Sequence, residues 1–353
     1  MINNYQLVQK LKSIITNYAF SIILTKGSKN CSSMAEETGS SSKKLYKFHK
    51  EASSNFSIIK DHLIKKVAKH ARNSKKKVLI IDPSNITKRF AKKIDRLAYD
   101  FNVIEKQVTK CLSFVAAAWT NGKITIPLDF LFWQNKKKVS PENYKKKSEL
   151  AIDLILQLRG LIKFDYIALD GAFASLFMID FFTRNNLDFV MRMPKNRVIV
   201  TRNGTKAQLK NHPALKLIRN ERYKTISACY KGNWCYFTAH KRKTKKGSAE
   251  VVFIISSMNI PAKEQALAYG IRWEIEKVFR TIKQSLGVGH CQATSIEKQC
   301  AHIFATFLAY TSLIEKKVFK QKKSPEEVLT KIRRQKIPLC KSGLTLLEET
   351  IMA

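Results

Sequence analysis

The chain has 353 residues, 44% of them hydrophobic, which supplies a sizeable core and argues against general disorder. Its 65 Lys+Arg against 27 Asp+Glu give a formal net charge of +38, an excess that resists compaction unless a polyanion relieves it. Nucleic acid fits that need, because each phosphate contact releases counterions, although charge alone leaves a ribosomal-type protein or a membrane-surface binder open. No apolar run, Cys111–Trp119 included, approaches the roughly 18–20 residues of a membrane span. The start of the chain lacks the short basic leader of a signal peptide. Seven scattered cysteines without a C-x2-C pair predict free thiols in a reducing, cytoplasmic compartment. His290, Cys291, Cys300 and His302 cluster in sequence, but their spacing matches no common zinc pattern and reads as ordinary buried or interfacial side chains.

In chain order, residues 1–72 are predicted to be helical, with Tyr5, Val8, Leu11, Ile14 and Ile15 at helical spacing. Within them, 33–51 has the spacing of a helix-turn-helix. Ala35 permits close approach, Gly39 takes the turn, Leu45 anchors the second helix, and Lys43, Lys44 and Lys47 lie on or near it. A plain helical hairpin fits the same pattern. Val78–Pro83 reads as a buried central strand ending at Asp82. Strands near 107–119 and 123–133, joined by Asn121-Gly122, extend it into an antiparallel meander. A basic loop holding Lys136–Lys138 and Lys145–Lys147 leads to a helix at 147–159. A strand at 164–169 then ends at Asp170-Gly171, and a helix at 173–184 and a strand at 187–193 follow. That order predicts an α/β domain with a mixed sheet. Residues 196–260 read as a β-rich insertion, and helical periodicity returns at 261–286 and again from 297 to 323.

The helix expected at 261–286 presents Leu267, Ile271, Ile275, Val278, Ile282 and Leu286 as one apolar stripe. Tyr269, Arg272, Glu276, Arg280 and Lys283 align on another face. By spacing alone that row is a solvated ladder of ion pairs, each worth about 0.3–0.5 kcal/mol. Asp82 and Asp170, each at the end of an apolar run, change the balance, since a carboxylate there is expensive unless a cation satisfies it. Three carboxylates around one point suit a hard cation such as Mg²⁺. Two such ions would activate a nucleophilic oxygen and stabilise the leaving oxygen of a phosphodiester. Asp129, Asp165, Asp180, Asp188 and Glu274 are the weaker acidic candidates.

Tyr269-x2-Arg272-x3-Glu276-x6-Lys283 resembles the Y-R-E-K pattern of insertion-sequence-four type DDE transposases in all four residues and all three gaps. Asp82 after VLII, Asp170 in LDGAFAS and the β-rich stretch before Glu276 extend the resemblance over roughly 75–310. It implies a ribonuclease H-like mixed sheet flanked by helices, with an N-terminal helical DNA-binding region (1–72). The catalytic domain would span 73–195 and 261–312 around the insertion at 196–260, and a basic helical region would follow at 313–353. It further implies metal-dependent cleavage and strand transfer of DNA at the ends of an insertion sequence. Asp82, Asp170 and Glu276 would bind two Mg²⁺ or Mn²⁺ ions. Tyr269, Arg272 and Lys283, with Arg280 beside them, would grip phosphates. Trp234 is the candidate for stacking a flipped base, with Trp273 and Trp119 as competitors. The expected partners are double-stranded DNA (terminal inverted repeats and target) and a second copy of the chain in a synaptic homodimer, in the cytoplasm at the nucleoid. A nuclease on the same scaffold without strand transfer, or a non-catalytic DNA-binding remnant, remains as the alternative.

Overall fold

The computed structural model describes residues 4–51, 55–102, 105–243, 247–320 and 324–334; the side chains of 4–8 and 316–320 and the rest of the chain lie outside the description. The expectations for Tyr5 and Val8 and most of the basic C-terminal region therefore fall outside it. Four helices open the chain, α1 (Asn4–Leu24), α2 (Cys31–Thr38), α3 (Ser42–Glu51) and α4 (Ser57–Ala71). Strands β1 (Val78–Thr87), β2 (Ala98–Asn102), β3 (Gln107–Thr120) and β4 (Thr125–Trp133) follow, then α5 (Lys147–Arg159), β5 (Tyr166–Leu169), α6 (Leu176–Arg184) and β6 (Phe189–Met193). The β-rich stretch contributes β7 (Val198–Val200), β8 (Lys206–Gln208), β9 (Tyr223–Tyr230), β10 (Asn233–Lys243) and β11 (Ala249–Ser256). Helices α7 (Ala262–Gly270), α8 (Trp273–Gln284), α9 (Ile296–Lys320) and α10 (Pro325–Arg334) complete the description.

All the strands join one mixed sheet in the order β2-β3-β1-β5-β6-β11-β10-β9-β7-β8, with β4 on β3. β1 is central, antiparallel to β3 and parallel to β5. Its first residues, Val78–Ile81, are fully buried, as expected of a strand covered on both faces. The stretch at 196–260 does not stand apart from the sheet. β11 pairs antiparallel with β6, so these strands continue the same sheet outward. Helix α9 buries Ala301–Leu308 almost completely and packs on β4, α1, α4 and α10. The N-terminal helices dock on it through the Tyr18 hydroxyl, which hydrogen-bonds His49 Nε2 (3.1 Å) on α3 and His302 Nδ1 (2.9 Å) on α9. His302 Nε2 in turn lies 3.1 Å from the Gly287 carbonyl just beyond α8.

Three expectations need correction. The meander is interrupted by β2, a five-residue strand whose pattern is too short and too polar to stand out in AYDFN. The helix expected over 261–286 is two helices. The amides of Arg272, Glu274 and Ile275 bond carbonyls three residues back, a tightened turn that advances each side chain by about 20° more than an α-turn does. Gly270, a weak helix former, ends α7 at that point. The break also undoes the single apolar stripe: Ile275, Val278, Ile282 and Leu286 are buried, but Leu267 is 59% exposed. Finally, α6 starts at Leu176, because Gly171–Phe173 forms a separate 3-10 turn.

The helical hairpin expected at 33–51 is present as α2 and α3. Gly39 adopts the left-handed φ of 66° between them, and Lys43, Lys44 and Lys47 are exposed on α3. Among the described residues no helix is long and apolar enough to cross a membrane, and the described cysteines Cys31, Cys111, Cys229, Cys235, Cys291 and Cys300 are free.

Candidate active site

The sheet register explains how residues far apart in sequence meet. Ile81 is level with Leu169, so the following residues, Asp82 in mid-β1 and Asp170 just past β5, stand side by side. Opposite Asp82 on β3 is Ala116, and directly paired residues share a face. A residue that small leaves room beside the carboxylate. Asp170 caps the 3-10 turn, its Oδ2 accepting from the Ala172 amide at 3.4 Å. Gly171 beside it leaves little room for a side chain. A Cβ there would meet the Arg192 carbonyl oxygen at 3.2 Å and the Arg192 Cβ at 3.3 Å.

Helix α8 packs on β1 and brings Glu276 to the same place. The tightened turn ahead of α8 turns Arg272 inward, where it is buried. Its guanidinium lies 2.8 Å from Asp82 Oδ1, 2.7 Å from Glu276 Oε1 and 3.9 Å from Asp170 Oδ1. The row predicted from spacing is therefore not a surface ladder. Arg272 and Tyr269 are buried, Lys283 is half-buried, and Arg280 alone of the basic residues is exposed.

Three carboxylates around one guanidinium leave an excess of negative charge. Burial, together with Asp170 and Glu276, pushes the Asp82 carboxyl up to about 7 against the pull of Arg272. Burial opposes the charge on Arg272, but Asp82, Tyr269, Asp170 and Glu276 outweigh it and raise its pKa. Burial lowers the pKa of Lys283, partly offset by Asp82. It raises that of Tyr269, whose ring lies 5.8 Å from the guanidinium.

The competing acids are engaged elsewhere. Asp129 pairs with Lys60, Asp165 with Lys77 and Glu274 with Lys277. Asp180 accepts from Asn233, and Asp188 from Ser257. As arranged, no group of His, Cys, Asp or Glu among the described residues is set to hold a metal ion. At Asp82, Asp170 and Glu276 the Arg272 guanidinium lies among the carboxylates. Chemically the donor set suits a hard divalent cation, being all carboxylate oxygen. Arg272 also keeps a buried Nε with no hydrogen-bond partner, so its seat among the acids is incomplete.

His290, Cys291, Cys300 and His302 do not converge. His302 belongs to the Tyr18 chain, and His290 Nδ1 accepts from the Lys29 amide. Trp119 is wholly buried, with Nε1 donating to the Lys163 carbonyl. Trp234 is 53% exposed beside Arg202, so it is free to stack, but the register sets it far off. The row through Asp170 runs on to Arg192, Ile254 and Thr238. Trp234 lies a further ~13 Å down β10 from Thr238, away from the Asp170 end. Trp273, 49% exposed and 5.4 Å from the Arg272 guanidinium, is the tryptophan at the site.

Sequence reasoning missed Arg192, Lys195 and Asn196, which line a cleft of about 750 Å³ running from Asp170 along β6 and β11. Their only signal was position: Arg192 lies in, and Lys195 and Asn196 just after, a strand parallel and adjacent to the one that ends at Asp170.

Among curated proteins, none matches the chain. A family model, the transposase DDE domain, matches residues 134–312, half of the chain. The matched span contains Asp170 and Glu276. Asp82 lies outside it and joins them through the register of β1 and β5. On that match the chain belongs to the transposase DDE domain family.

Proposed function

We infer that the protein is a metal-dependent transposase of the insertion-sequence-four type that cuts DNA at the ends of a mobile element and joins the freed ends to new DNA. The observation that carries this reading is the convergence of Asp82, Asp170 and Glu276 on the single cationic point now filled by Arg272. Asp82, Asp170 and Glu276 would hold two Mg²⁺ or Mn²⁺ ions, which when bound supply an activated nucleophilic oxygen and neutralise the leaving one. Water attacks the phosphorus at the element boundary and the P–O3′ bond breaks; the freed 3′-hydroxyl later attacks a phosphorus of the target, whose own P–O3′ bond breaks and leaves a target 3′-hydroxyl.

The chain's own residues orient that chemistry. Arg272 can exchange its carboxylate partners for a phosphate, for which its planar fork is suited. Tyr269 and Lys283, held by burial on either side of Glu276, direct a phenol and an ammonium toward the backbone of the same strand. Exposed Lys43, Lys44 and Lys47 on α3, and Arg280 on α8, would add phosphate contacts outside the centre. The N-terminal helices are read as the end-recognition unit, and two copies of the chain as the assembly that pairs two ends.

The test is cleavage of an end-labelled duplex carrying the element's terminal repeat, with Mg²⁺ or Mn²⁺, by the natural protein and by Glu276→Gln. A metal-dependent nick at the repeat boundary that Glu276→Gln loses while still binding the duplex is expected. Cleavage that survives the substitution places the chemistry elsewhere, and binding without cleavage in either metal leaves a DNA-binding remnant.

A further inference from the structure

Beyond the C-terminal end of β1, the first residues of β3 run on with β2 as a two-stranded ribbon. Its inner face is tied to the body: Asp100 accepts from Ser113 Oγ and pairs with Lys147. Its outer face has no cover in the described chain. Tyr99 is 59% exposed, Phe101 54% and Val108 62%, with Phe101 directly across from Val108 and Tyr99 across from Lys110. The loop between β1 and β2 adds Phe90, 94% exposed. Lys110 links the two parts, its Nζ donating to the Ala91 carbonyl at 3.2 Å and lying 6.0 Å from the Tyr99 ring.

Solvent exposure of this many large apolar side chains in one place costs stability and marks a contact surface. The charge around it selects the partner. Lys92, Lys93, Arg96 and Lys106 are exposed in the same segment, outnumbering the exposed Asp95, and the acids Asp100 and Glu105 are paired with Lys147 and Arg89. Lys138 Nζ donates to the Leu97 carbonyl at 2.8 Å, which joins the exposed Lys136 and Lys137 to the same surface. A second copy of a chain with net charge +38 would meet like charge here; a polyanion would meet its complement. The surface is also continuous with the candidate site. A cleft of about 430 Å³ runs from Pro83, beside Asp82, and Lys283 to Asn102 and Glu105 at the turn end of the ribbon.

We propose that this ribbon and the Phe90 loop bind single-stranded DNA leading to or from the candidate site, stacking unpaired bases on Phe90, Tyr99 and Phe101. Rings set among cations on an open surface are the combination that holds a single strand with little regard for sequence. A groove-reading role would instead call for side chains that match base edges; the outward positions of the ribbon carry Tyr99, Phe101, Val108 and Lys110, and the Lys110 ammonium is engaged by the Ala91 carbonyl. The proposal rests on the DNA-processing reading above but is tested apart from it.

The experiment is fluorescence anisotropy of the full chain with a labelled single-stranded oligonucleotide and with the matching blunt duplex, for the natural protein and for Phe90→Ala/Tyr99→Ala/Phe101→Ala. Because the three side chains are exposed, the variant should keep its melting temperature. Its affinity for the single strand is expected to fall tenfold or more, since base–aromatic stacking contributes about 1–3 kcal/mol per base, while duplex affinity changes little. Unchanged single-strand affinity, or an equal loss on both DNAs, overturns the proposal. A shift in sedimentation coefficient with DNA binding intact overturns it in favour of an interface between copies. Metal-dependent nicking by the natural protein is scored separately, so a failed ribbon leaves the catalytic reading standing, and the reverse.

Discussion

Replacing Arg272 with Gln tests whether the guanidinium occupies the place of a cation. The side chain is 7% exposed and that of Asp82 9%, with 2.8 Å between them. Removing one partner of a buried pair costs about 3–5 kcal/mol. The Glu276 contact adds little, because that carboxylate is a third exposed and solvent screens it. Asp82 can soften the loss by taking a proton. Its folded-state value is already raised to about 7, so its ionised form opposes folding, and stability falls as pH rises from the ordinary carboxylate range through 7. Without Arg272 that value climbs further, so the variant should be weaker at pH 8 than at pH 6 by more than the natural protein is. Mn²⁺ should then replace the lost cation. About 10 mM metal over a Kd of ~0.1 mM returns about 2.7 kcal/mol. The assay is thermal melting at pH 8 with and without Mn²⁺, in the absence of DNA. Arg272→Gln should gain several degrees with metal, and the natural protein little, since its own guanidinium competes. Equal responses in the two proteins, or none in either, would refute the idea of a shared cation point.

Three further outcomes follow from the same geometry. Gly171→Ala should reduce cleavage with little loss of stability, because the new Cβ, 3.2 Å from the Arg192 carbonyl oxygen, displaces the Asp170 turn by a few tenths of an ångström and misplaced catalytic groups lose rate; single-turnover kinetics would measure it. Acid should loosen the N-terminal helices. Burial depresses His49 to about 4 and His302 to about 3, so their contribution is present above the ordinary histidine value and is lost as pH falls from there toward 3. Melting temperature against pH should flatten over that range in His49→Gln/His302→Gln. Trp273→Ala should impair cleavage more than Trp234→Ala, since only Trp273 adjoins Arg272; equal losses would mean that the register distance does not matter.

Much of this centre was legible in the sequence because its parts end apolar runs or repeat at helical spacing. VLII before Asp82 and YIAL before Asp170 announce buried strands, and the acids that close them need a cation. Periodicity aligned Tyr269, Arg272, Glu276 and Lys283 on one face, but it treats a helix as straight. The turn at Ile271–Arg272 follows Gly270 and lets Arg272 reach Asp82 on a distant strand, converting an apparent surface ladder into a buried ion-pair cluster. The β-rich stretch was visible as strands, whereas its pairing with β6 was not, because register is a property of two segments. β2 was missed for a related reason. Only its inner residues Ala98 and Asn102 are buried, so its outward aromatics mask the alternation that would reveal it.

The most direct test of the carboxylate centre is iron-mediated cleavage of the protein itself. Fe²⁺ replaces the divalent ion in the presence of duplex DNA, and ascorbate with peroxide generates radicals that cut the backbone near the bound metal. Fragments ending close to Asp82, Asp170 and Glu276, lost together in Asp170→Asn and in Glu276→Gln, are expected. Cuts at other positions, or cuts that persist in both variants, would contradict the assignment of these three residues to one metal-binding centre.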